Sequence, residues 1–135
     1  MKTDLKQLLS YKNYQVLAYF CHHHPDYSLE EGQQLFEDFL AWIWLNLQRS
    51  QQGKKTLLFG PLLVLDELWH AFILHTRDYH DFCLDYLGAY FHHDIEPIGF
   101  EHHLQEDELS DFLEDCFLYL DEAWVNRRFA GALVD

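Results

Sequence analysis

A chain of 135 residues that is 49% apolar and 17% aromatic has the material for a buried core, which excludes a disordered or low-complexity protein. Nine Lys and Arg against 23 Asp and Glu give a net charge of −14, which argues against nucleic-acid and anionic-membrane partners. The same charge attracts a basic protein surface or a bound cation.

Met1 to Ser10 has no apolar stretch of the export-signal kind, and no segment reaches the ~18 apolar residues of a membrane span. Cys21, Cys83 and Cys116 are an odd, widely spaced set, unlike a disulfide framework. The expectation is a cytoplasmic monomer with reduced thiols, folded as one domain over residues 1–135.

In chain order, Thr3 or Asp4 can cap a short helix whose inner face is Leu5, Leu8 and Leu9. Asn13 can cap a second, with Val16, Leu17 and Phe20 inward and Pro25 as its stop. Ser28 and Glu31 form a Ser-x-x-Glu capping box. A long helix follows to about Gln48, with Leu35, Phe36, Phe39, Leu40, Ile43 and Leu47 on one stripe. Trp42 and Trp44 lie off that stripe, which predicts cover on more than one side.

Arg49 to Lys55 reads as a surface turn. Pro61 suits the first turn of the next helix, which carries Leu65, Leu68, Trp69, Phe72 and Ile73 to about His75. Thr76 can cap another, with Tyr79, Phe82, Cys83 and Tyr86 inward and Gly88 as a left-handed terminator. A looser stretch passes Pro97 and Gly99. The last helix spans about Glu106 to Val125, with Leu109, Phe112, Leu113, Cys116, Phe117, Leu120 and Trp124 on one side; its opening acidic run suits a helix start. The fold predicted is all-α: a compact bundle of about five to six helices.

The densest chemistry lies between Asp66 and His93. Asp66 and His70, four apart, share one helix face and can touch. His75 is turned about 140° from His70 and points elsewhere. Gly88 can turn the chain so that His92 or His93 folds back toward the pair; neighbouring residues diverge, so one of the two faces inward. Asp66, His70 and one of His92 and His93 would make an N/O donor set suited to zinc or another divalent transition metal. The competing interpretation is packing: Trp69, Phe72, Tyr79 and Phe82 recur at core spacing, and His70 can simply be hydrogen-bonded to Asp66.

Asp66-Glu67-x-Trp69-His70-x-Phe72-Ile73-Leu74, then Thr76, Tyr79, Phe82-Cys83, Gly88 and His92-His93, resembles the motif of the bacterial "glycine-rich domain-containing protein-like" family. That resemblance implies a helical fold and brings no established activity.

Other clusters are weaker. Cys83 with His80 or His92 has the residue types of a thiol nucleophile and base, but Phe82 and Leu84 beside it suggest a buried, inert sulfur. Cys21 to His24 reads as a helix end with histidines near its negative pole, and His102-His103 is isolated. The sequence therefore favours a non-catalytic module that recognises a basic protein surface. The alternative is a divalent-metal-binding domain centred on His70, with hydrolysis as its candidate chemistry.

Overall fold

Local capping chemistry sets several of the helix starts. Asn13 accepts a hydrogen bond from the Val16 amide and begins α2 (Tyr14–His23), after a single-turn α1 (Leu5–Leu9). The Ser28–Glu31 box closes reciprocally, Glu31 N donating to Ser28 Oγ and Ser28 N to Glu31 Oε1, each at 3.0 Å; it starts α3 (Leu29–Ser50). A 3-10 turn at Gly60–Leu62 holds Pro61 and leads into α4 (Leu63–Leu74). Then come α5 (Thr76–Phe82), a π-helical turn at Cys83–Leu87, α6 (Glu106–Tyr119) and α7 (Glu122–Phe129).

This computed structural model describes residues 4–55, 57–94 and 104–130, and among them no strand occurs. The fold is all-α. Among the described residues no helix is long and apolar enough to cross a membrane. Pro97, Gly99, His102 and His103 lie outside the described residues.

Four local features differ from expectation. The helix foreseen over 106–125 is two, because the chain breaks at Leu120 and Asp121 starts α7 by accepting from the Trp124 amide. Phe117, placed inward by spacing, is exposed. α5 is entered from His75, whose side chain makes no capping bond, so Thr76 is its first helical residue rather than its cap. Arg49, read as loop, belongs to the last turn of α3 and is buried.

The chain divides into two compact units, Met1–Trp44 with Val64–His92, and Leu45–Leu63 with His93–Asp135. In the first, Phe72 sits at the centre of an aromatic core, with the rings of Tyr11, Phe36, Tyr79 and Phe82 between 5.0 and 5.7 Å away. Trp42 is fully buried and meets Trp69 edge-on at 5.3 Å. Such ring pairs add about 0.5–1.5 kcal/mol each beyond the area they bury.

In the second unit Phe59 packs against Phe112 at 5.7 Å and Phe129 at 6.1 Å. The buried Arg49 guanidinium lies 5.1 Å over the Phe112 ring and donates to Asp115 and Asp111. Lys54 joins them, its Nζ 3.1 Å from carboxylate oxygens of both.

Candidate metal centre

α4 buries Leu65, Leu68, Trp69, Ala71 and Phe72 and turns Asp66 and His70 outward on one edge. Helical i,i+4 spacing sets His70 Nε2 3.5 Å from Asp66 Oδ2, with the His70 side chain 56% exposed and that of Asp66 25% exposed. The third member arrives from the chain after α5. The π-turn ends at Gly88 with φ +79°, a left-handed conformation that disfavours side chains bearing a Cβ. A Cβ built there would meet nothing within 4 Å, so the demand for glycine is torsional rather than steric.

From Gly88 the chain returns along α4. Phe91 stacks on Trp69 at 5.1 Å and meets Trp42 edge-on at 6.2 Å. Its amide donates to Cys83 Sγ at 3.4 Å, and its carbonyl accepts from the Tyr79 hydroxyl. His93 follows two residues later.

Asp66, His70 and His93 each offer one donor atom, and the three atoms lie within 4.8 Å of one another. Zinc bonds of about 2.1 Å in a tetrahedron would set them about 3.4 Å apart. The Asp66–His70 pair, at 3.5 Å, is already near that spacing. His92, the other histidine of the pair, rests on Tyr90 with ring centroids 4.8 Å apart and is not one of the three.

The remaining histidines have other surroundings. His75 Nδ1 is 2.8 Å from the Ala71 carbonyl and its ring meets Tyr19 edge-on. His23 and His24 turn Nδ1 to the Tyr19 and Phe20 carbonyls at 3.0 Å, each reaching back four residues along α2. His24 Nε2 also lies 3.4 Å from Glu67 Oε2. His80 is exposed beside Asp81.

Burial pushes the Cys83 thiol above its ordinary range, which starves it of the thiolate a nucleophile requires. Cys116 is pushed up to about 12 by the same cause. Spacing alone placed Tyr79 and Cys83 inward but not their tie to Phe91. A buried tyrosine must satisfy its hydroxyl, and that was the signal available for the missed contact.

No curated protein and no solved structure matches this chain. The UCP032817-like family matches over residues 7–108, from within α1 to the first turn of α6. This corrects the resemblance to glycine-rich domain-containing proteins. That resemblance rested on a short segment whose aromatics and Gly88 are demanded by packing and by a turn, and such demands recur in unrelated helical proteins. The chain belongs to the UCP032817-like family, an uncharacterised one from which no activity carries over.

Proposed function

We propose that this chain binds a divalent transition metal, zinc being the first candidate, through Asp66, His70 and His93. The observation that carries the reading is the convergence of three donor atoms within 4.8 Å from two separate stretches of chain. Two imidazoles and one carboxylate are a donor set that zinc and its neighbours accept. The net charge of −14 raises the local concentration of any cation.

Three protein donors leave a fourth position of a tetrahedral ion for water or substrate. That is the arrangement of reactive zinc sites rather than of closed structural ones. A water held there becomes acidic enough to supply hydroxide near neutral pH, so hydrolysis is the reaction class this reading favours.

Native mass spectrometry with elemental analysis of the purified protein, after exposure to one equivalent of zinc and buffer exchange, tests it. The expected result is one ion per chain, lost in His70→Ala. Folded wild-type protein that leaves the exchange without metal would sink the reading.

A second reading, a module that docks a basic protein, is favoured by one feature. Glu106, Asp107, Ser110, Asp111 and Glu114 line a shallow acidic recess along α6. Recognition led by charge weakens as salt rises, so a partner captured equally at low and high ionic strength contradicts it.

A further inference from the structure

We infer that Tyr79, together with Cys83, is a positioning residue that holds His93 in reach of Asp66 and His70. The inference rests on the metal reading above and adds to it the device that would fix the third ligand.

Residues 89–94 lie in no helix or strand, so no ladder of backbone hydrogen bonds sets their course. Side chains do so instead, at Phe91. A tyrosine hydroxyl can donate one hydrogen bond and accept two. That of Tyr79 donates to the Phe91 carbonyl and accepts from Trp69 Nε1 at 2.9 Å.

The Cys83 sulfur in turn accepts from the Phe91 amide at 3.4 Å. Both backbone polar groups of Phe91 are thus gripped by side chains one helical turn apart at the end of α5. Tyr79 and Cys83 are fully buried, so the grip is shielded from water, and the ring of Phe91 is pressed against Trp69.

Only His92 separates this grip from His93. A metal ligand has to be held within about 0.5 Å of its productive place, and the fixed carbonyl and amide of Phe91 are what restrict the next two residues. Neither Tyr79 nor Cys83 belongs to the donor cluster. Their part is to aim a ligand.

The test compares cobalt(II) affinity, read from visible absorption and by competition with zinc, in the wild-type chain and in Tyr79→Phe, Cys83→Ala and Val16→Ala. Tyr79→Phe keeps the ring and frees the Phe91 carbonyl; Cys83→Ala frees its amide. Val16, fully buried in α2, serves as a control that loosens the core of the same unit and takes no part in the hydrogen bonds to Phe91.

Both Phe91-releasing variants are expected to lose about 10-fold or more in metal affinity, the scale found when groups that orient a ligand are removed. Both should also exchange the amides of residues 91–93 faster in metal-free protein, while Val16→Ala keeps wild-type affinity. Equal affinity in Tyr79→Phe and wild type, or an equal loss in Val16→Ala, overturns the positioning role and leaves the metal reading intact. If Tyr79→Phe fails to fold, Cys83→Ala decides alone by the same criterion. Wild-type protein that binds neither cobalt nor zinc overturns the metal reading itself, and this inference with it.

Discussion

Gly32 shows how much a single hydrogen can decide. A Cβ at this position would lie 2.7 Å from Cys21 Sγ and 2.9 Å from Leu17 Cδ1, so a side chain here must push aside two side-chain ends of α2. Gly32→Ala would gain up to about 1 kcal/mol of helix propensity. Overpacking costs about 1–3 kcal/mol, and it wins. The net expectation is a loss of about 1 kcal/mol, measured as a lower denaturant midpoint at unchanged slope.

Asp115 presents the opposite problem. It and Arg49 are buried together, so Asp115→Ala would leave a guanidinium in the interior with the half-exposed Asp111 as its remaining carboxylate. Breaking a buried pair from one side costs about 3–5 kcal/mol; Asp111 keeps the expected loss in chemical denaturation near the lower end. Nothing local marks either site. Gly32 follows an ordinary capping box, and Arg49 opens a run of loop residues. What makes both matter is a neighbour supplied by another helix, for Arg49 66 positions away.

The histidine pair was legible as a pair but not by member. His92 and His93 are the same residue in the same stretch, and the direction of each depends on how Phe91 is held. Zinc in excess over its dissociation constant should raise the melting temperature of wild type and of His92→Ala alike. At a hundredfold excess the gain is about 2.7 kcal/mol. His93→Ala should show no zinc-dependent rise in the same thermal scan.

At the scale of elements, α6 shows where helical periodicity misleads. Its spacing put Phe117 on the inner stripe and ran straight through Leu120, but the chain stops at Tyr119 and resumes at Glu122. A period of 3.6 continues across a break of two residues almost unchanged, so pattern alone cannot see it. The N-cap at Asp121 was the available sign. The long α3 was easier to read, because Trp42 lay off its stripe and its burial required cover on a second side.

α6 is also tied to the turn after α3 by charge, which makes the junction sensitive to pH. Hydrogen bonding to Lys54 holds the Asp111 carboxyl below its ordinary 3.8, with Arg49 adding to the effect. Hydrogen bonds to Asp115 and Asp111 raise Lys54 above its ordinary 10.5. A carboxyl lowered on folding contributes stability above its unfolded value and loses it as pH falls through the folded one. A raised lysine contributes below 10.5 and loses it as pH climbs through its folded value. The urea midpoint of wild type should therefore fall between pH 4 and pH 2 more steeply than that of Asp111→Asn, on the ordinary carboxylate scale of about 3.9. Parallel curves would mean the lysine contact adds nothing.

At the scale of the whole molecule, composition pointed to a folded protein of strong negative charge, helical spacing to its all-α fold, and the family match over residues 7–108 adds kinship without activity. Each of the two units draws on two stretches of sequence, and the stretches alternate along the chain. A cut after Leu63 therefore yields no fragment that contains a whole unit, whereas a cut after Trp44 keeps both stretches of the second unit in one fragment. During synthesis residue 92 must leave the ribosome before the first unit has all its parts, by which time residues 45–63 are already held as a closed loop waiting for the remainder of theirs. Expression trials with chains cut after residue 63 should accordingly give insoluble or protease-sensitive products on either side, and nicking within 45–63 should be the cheapest way to learn whether the first unit, once assembled, outlives the segment that joins its halves.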